Sequence, residues 1–93
     1  MAYEILNEMR YANEILQALG RSSDTYSDLE NKVLANNGRK TERVRGNFYN
    51  DVQILRKIGL VCIDKLTRPG MPLRLTPIGR QFSVQNNRVV IPP

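Results

Sequence analysis

The sequence has no histidine, no tryptophan and a single cysteine, Cys62. Without histidine, the commonest general base and the commonest metal ligand are both missing. One cysteine excludes an internal disulfide and a cysteine-based metal site. No arrangement of carboxylates or of serine with lysine stands out as a catalytic set. Neither an enzyme nor a cofactor is therefore expected. No apolar run approaches the roughly 18 residues that mark a membrane span. The opening stretch MAYEILNEMR carries acids and lacks the apolar centre of a signal peptide. The expectation is a cytoplasmic chain with no membrane partner. Aromatic residues make up only 6% of the chain, which argues against a surface for stacking single-stranded bases.

What the chain has is positive charge, unevenly placed. The net charge is +5 over 93 residues. Residues 1–38 hold three basic and six acidic side chains, a balance of −3, whereas residues 39–93 hold eleven and three, a balance of +8. Such polarity suits a face for a polyanion. The length allows a single domain, residues 1–93, with a thin core that dimerisation would help to stabilise.

Residues 3–19 carry an amphipathic helical pattern, with Ile5, Met9, Ala12, Leu16 and Leu19 on one stripe, Leu6 and Ile15 beside it, and Gly20 as the stop. A second helix is expected from about Ser27. Ser27 with Glu30 has the form of a capping box, and Thr25 with Asp28 is an overlapping alternative. Tyr26, Leu29, Val33 and Leu34 supply its inner face, and Asn36-Asn37-Gly38 ends it. A third helix is expected from Thr41 to about Lys57, closed by Gly59. Val44, Phe48, Val52 and Leu55 face inward. Glu42, Arg45, Gly46, Tyr49, Asn50 and Gln53 face outward, with Arg43 and Lys57 at the margin.

After Gly59 the period changes. Leu60 to Ile63 suits a strand, with Cys62 as a buried member of it. Residues 67–72 read as a turn, and Leu73 to Thr76 as the returning strand, with Arg74 on the face opposite Leu73 and Leu75. Thr76-Pro77 opens a short helix with Thr as N-cap, and Ile78 and Phe82 share one of its faces. The tail, residues 84–93, reads as extended. The fold class is mainly α with a small β-hairpin. Three helices, a two-stranded hairpin and a short C-terminal helix are the order of a winged helix-turn-helix. In it residues 1–20 form the first helix, 41–58 the recognition helix and 60–76 the wing.

The stretch Gly46-Asn47-Phe48-Tyr49, followed by Val52, Leu55 and Gly59-Leu60-Val61, resembles the PadR-type winged-helix DNA-binding proteins. So does Arg74-Leu75-Thr76-Pro77-Ile78-Gly79-Arg80. The likeness covers residues 41–82 by motif and the first two helices by pattern alone. Larger members carry a long C-terminal dimerisation helix or effector segment, where this chain has about a dozen residues. Ligand sensing is therefore not implied, and a dimer contact moves to residues 1–20 and the tail. In length and basic balance the chain is also similar to small winged-helix centromere-binding partition factors of archaeal plasmids.

In that arrangement the third helix enters the major groove. Asn47, Asn50 and Gln53 are the candidates for base edges, since Asn and Gln match adenine. Arg43 and Arg45 divide between bases and phosphates. Tyr49 donates to a phosphate. Lys40 and Thr41 hold the backbone at the helix N-terminus. Arg68 at the wing tip reaches the minor groove, with Arg74 and Lys65 at its rim. Arg56, Lys57 and Arg80 read as solvated charges. The expected partners are double-stranded DNA, a second copy of the chain in a homodimer, and a further partition or regulatory protein. The expected roles are transcriptional repression, or plasmid partition with spreading on DNA. The alternative is a winged-helix protein-interaction module without DNA binding.

Overall fold

In a computed structural model, residues 2–35, 41–63, 72–85 and 88–90 are described. A 3₁₀ turn (Ala2–Asn7) leads to α1 (Ala12–Arg21), α2 (Tyr26–Leu34) and α3 (Glu42–Lys57). Strands β1 (Val61–Ile63) and β2 (Leu73–Leu75) follow, then a second 3₁₀ turn (Gly79–Gln81) and strands β3 (Ser83–Gln85) and β4 (Arg88–Val90). The helix-rich class with a small antiparallel hairpin is as expected.

The first helix is not continuous over 3–19. The N–H groups of Glu8 and Met9 both donate to the Ile5 carbonyl, and that of Tyr11 donates to the Asp51 carboxylate on α3 at 2.9 Å. The break has a packing reason. In α1, Ala12, Ile15, Leu16 and Leu19 form the buried stripe. In one straight helix Leu6 would lie about 130° away from that stripe. Breaking the chain at residues 8–10 lets Leu6 and Tyr11 enter the core, while Ile5 stays 44% exposed and Met9 half-buried. Ile5 and Met9 are thus displaced from the expected stripe. Nor does Gly20 stop α1, which continues through Arg21 to an extended Ser22.

Helix α2 starts at Tyr26 and uses the Thr25 cap rather than Ser27; Thr25 Oγ1 accepts the Asp28 N–H at 3.2 Å. Helix α3 starts as expected, with Thr41 Oγ1 accepting the Val44 N–H at 3.2 Å. Phe48, Val52 and Leu55 are buried, and Val44 is half-buried against them. Phe48 sits at the meeting of the three helices, with the Tyr26 ring 5.4 Å and the Tyr11 ring 6.2 Å from its own. At the end of α3 the chain turns through Gly59 at φ 87°, a left-handed value that favours glycine.

Strands β1 and β2 pair antiparallel with Val61 opposite Leu75, Cys62 opposite Arg74 and Ile63 opposite Leu73. Leu73 and Leu75 point into the core and Arg74 outward, as the alternation predicts. Cys62 is half-buried rather than buried. One addition has no signal in the sequence: Asp24, between α1 and α2, bridges Leu73 through two backbone hydrogen bonds.

Thr76 caps as expected, its Oγ1 accepting the Gly79 N–H at 3.0 Å and donating to the Gly59 carbonyl at 2.6 Å. What it caps is a single 3₁₀ turn rather than a helix. Phe82 packs against the core while Ile78 is 49% exposed, so they do not share a face. The tail is not merely extended: β3 and β4 form a second antiparallel hairpin, and the Val89 N–H donates to Asn7 Oδ1 at 2.8 Å. Residues 86–87 and 91–93 of the expected tail, and 36–38 of the expected helix end, lie outside the described residues. Among the described residues no helix is long and apolar enough to cross a membrane.

Candidate nucleic-acid interface

Helix α3 has one face sealed by the core, and its remaining surface divides into three strips. The first leans toward α2. There the Arg45 guanidinium stands 3.9 Å from a Glu30 carboxylate oxygen, and the Tyr49 ring meets Tyr26 edge-on at 6.2 Å. Tyr49 nonetheless remains 52% exposed. Burial, reinforced by the Glu30 charge and by Tyr49, pushes the Tyr26 hydroxyl above the usual tyrosine range.

The second strip faces directly away from the core. Helical spacing places Arg43, Gly46, Asn50, Gln53 and Lys57 within it. Arg43, Gly46, Asn50 and Lys57 are exposed, and Gln53 is half-buried. A methyl group at Gly46 would meet nothing within 4 Å, so the helix surface there is open to close approach.

The third strip leans toward the N-terminal segment. Asn47 and Asn50 line a cleft of about 360 Å³ together with Ile5, Glu8, Met9 and Arg10. Asp51 forms its floor. Its carboxylate accepts the Tyr11 N–H. Burial raises the Asp51 pKa above the usual aspartate value, against the lowering effects of that hydrogen bond and of the Arg10 charge.

The expected contact residues are thus spread around the helix rather than gathered. Arg45 and Tyr49 occupy one flank, Arg43 and Gln53 the crest, Asn47 the other flank, and Asn50 stands between the last two. Thr41 is exposed at the helix start, where its hydroxyl serves the helix cap. Arg74 is exposed on β2, opposite Cys62 across the ladder. Lys40, Lys65 and Arg68 lie outside the described residues.

Three features escaped the sequence reading. Arg56 and Lys57, read as plain solvated charges, form one wall of a cleft of about 600 Å³ with Gln53, and β1 forms the other. The Arg56 guanidinium also donates to Gln53 Oε1 at 3.4 Å. Helical spacing does place both near Gln53, so this signal was present. Asp51 falls within the apolar arc of α3, three residues after Phe48, and a polar residue there signals a buried partner. Arg10 beside Asn47 and Asn50 follows from the chain break and has no local signal.

Six residues of the first segment, Leu6, Tyr11, Ala12, Ile15, Leu16 and Leu19, are buried within the chain's own core. Of the other apolar side chains described in that segment, Ile5 is exposed and Met9 half-buried. Among the described residues no three histidine, cysteine or carboxylate side chains gather as a metal site. Comparison of the chain with protein-family models, with curated proteins and with solved structures found no match.

Proposed function

We propose that this protein is a winged-helix, sequence-specific binder of double-stranded DNA that acts as a dimer. The observation that carries the reading is α3. Its core-facing stripe is apolar, and its outward surface offers Arg43, Arg45, Tyr49, Asn50 and Gln53, with Glu42 as the only exposed acid. In this reading α3 enters the major groove and the β1–β2 hairpin is the wing. Asp24 bridging β2 supports it, because that contact ties the hairpin to the start of α2. Lys and Arg supply affinity by releasing counterions, and Asn47, Asn50 and Gln53 supply the sequence preference. Lys40, Thr41, Arg68 and Arg74 hold phosphates or groove edges. The second subunit docks through the N-terminal segment, where Ile5 is the exposed apolar side chain. The PadR-like resemblance of residues 41–82 points the same way.

The test is footprinting on the DNA flanking the protein's own gene at two salt concentrations. Binding should weaken steeply as salt rises. Arg43→Ala should weaken binding on all sequences and reduce the salt slope by about 1. Asn50→Ala should cost about 1–3 kcal/mol on the preferred site and relax the choice at one base. An equal loss on every sequence would remove Asn50 from base reading. One protected operator would assign the protein to repression, and tandem protected sites that extend with concentration to partition. Absence of any salt-sensitive duplex binding would end the proposal in favour of a protein-interaction module.

A further inference from the structure

Arg45 stands in an ion pair that bears on which part of a duplex it suits. Its Nε lies 3.9 Å from Glu30 Oε1 on α2. The two partners are unequally placed: the Glu30 side chain is 16% exposed and that of Arg45 57%. A carboxylate withdrawn this far from water calls for a counter-charge, and Arg45 supplies it. The Glu30 charge acts nearby as well, since it adds to burial in raising the Tyr26 hydroxyl. Helix α2 thereby lines one flank of α3 with two contacts, Glu30 on Arg45 and the Tyr26 ring on Tyr49.

An arginine paired with a carboxylate behaves differently from one surrounded by water. The pair carries no net charge, so it attracts a phosphate weakly and releases little counterion. A phosphate on Arg45 would also lie close to Glu30 and be repelled by it. A base edge has no net charge and meets no such repulsion. Nε is the atom turned toward Glu30, so the edge formed by the two terminal nitrogens remains for a ligand. That edge matches guanine O6 and N7, the commonest arginine pairing in the major groove. Arg45 also sits near the start of α3, its N–H donating to the Thr41 carbonyl at 3.0 Å. The N-terminal residues of a recognition helix are the ones that reach base edges. We propose that Arg45 reads a guanine and that Glu30 is the positioning residue that keeps it off the phosphates. This rests on the reading of α3 as a DNA-recognition helix, and within it assigns Arg45 to a base.

The test uses the full chain and a pool of short duplexes of random sequence, the bound and free fractions being sequenced. One arbitrary duplex is titrated at two salt concentrations alongside. The parent should select a guanine at one position of its site. Arg45→Ala should lower that selection roughly tenfold, within the range for one bidentate contact. Glu30→Gln keeps the side-chain shape and frees Arg45. It should lower the selection at the same position, tighten binding to the arbitrary duplex and steepen the salt slope by about 0.9, one more phosphate neutralised. Added to Arg45→Ala, it should change nothing further at that position. Glu42→Gln removes a negative charge from α3 itself and is the control for plain electrostatics: it should tighten binding and leave the selection intact. If Glu30→Gln behaves like this control, or only lowers the melting temperature, Glu30 has no positioning role and the proposal is overturned. Arg45→Ala that flattens the salt slope with the selection kept would make Arg45 a phosphate contact and overturn it equally. A parent chain without salt-sensitive duplex binding would instead end the DNA reading itself, and this assignment with it.

Discussion

Asp51 is a carboxylate on an otherwise apolar arc of α3, and its oxygen receives the N–H of Tyr11, 40 residues earlier in the chain. Burial dominates over the Tyr11 hydrogen bond and the Arg10 charge, so its pKa is raised in the folded state. The folded protein therefore holds this proton more tightly than the unfolded chain, and stability falls as pH rises from the unfolded value toward the folded one. Glu14, raised by burial, acts with the same sign. An amide at position 51 keeps an oxygen for Tyr11 and has no charge to bury. Asp51→Asn should be at least as stable as the parent at pH 7, and the gap should close near pH 4, as thermal melts across that range would measure. Asp51→Ala leaves the buried Tyr11 N–H without its acceptor and should cost about 1–3 kcal/mol at either pH. Gly79 is the second residue whose identity is dictated by its neighbours. A side chain there would collide with the Leu60 carbonyl oxygen, a backbone atom with little room to move. Gly79→Ala should destabilise by about 1–3 kcal/mol in denaturant unfolding. The Leu-Thr-x-x-Gly spacing thereby acquires a physical meaning: Thr76 caps the turn and Gly79 lets that turn sit on the start of β1.

At the scale of the element, α3 carries a glycine that its own stability does not ask for. Gly46 has helical backbone and open space around it, so Gly46→Ala should stabilise the helix by about 0.5–1 kcal/mol. If the position serves close approach of a duplex, the same change should lower DNA affinity while raising the melting temperature. Affinity that rises or stays constant would assign Gly46 no part in the interface. This helix was the most legible part of the chain. Its cap, its Phe48–Val52–Leu55 stripe and its Gly59 stop are local features, and each occurs where the pattern places it. The hairpin was legible for the same reason, since Leu73, Arg74 and Leu75 alternate. The N-terminal helix was misread because Ile5, Met9, Ala12 and Leu16 satisfy a helical period as well as Leu6 and Ile15 do. What separates them is the entry of Leu6 and Tyr11 into the core, with the Tyr11 N–H bound to a residue 40 positions away, which no local window contains. The Asp24 bridge and the Asn7–Val89 contact are invisible in the sequence for the same reason. The candidate site was legible as a list of side chains on one helix. Its division into strips was not, because that depends on which elements pack beside each flank.

At the scale of the whole molecule, the N-terminal segment is fastened at both ends. Asn7 Oδ1 takes the Val89 N–H from the C-terminal hairpin, 82 residues away, and the Tyr11 N–H is held by Asp51 on α3. Just before the first of these points Leu6 packs into the core, and between the two Glu8, Met9 and Arg10 form one wall of the cleft that contains Asn47 and Asn50. This short stretch of chain therefore connects the C-terminal hairpin to the candidate recognition helix, beside the packing of β3 on α1 and of α1 on α3. Asn7→Ala should cost about 1 kcal/mol and should speed hydrogen exchange at the Val89 amide. If the segment moves as one body, loosening one end lowers the worth of the other. Asn7→Ala and Asp51→Ala together should then cost less than the sum of the two alone, by about 0.5 kcal/mol or more in a double-mutant cycle. Additive losses would mean that the two fastenings act independently and that the C-terminal hairpin has no hold on the wall beside Asn47 and Asn50.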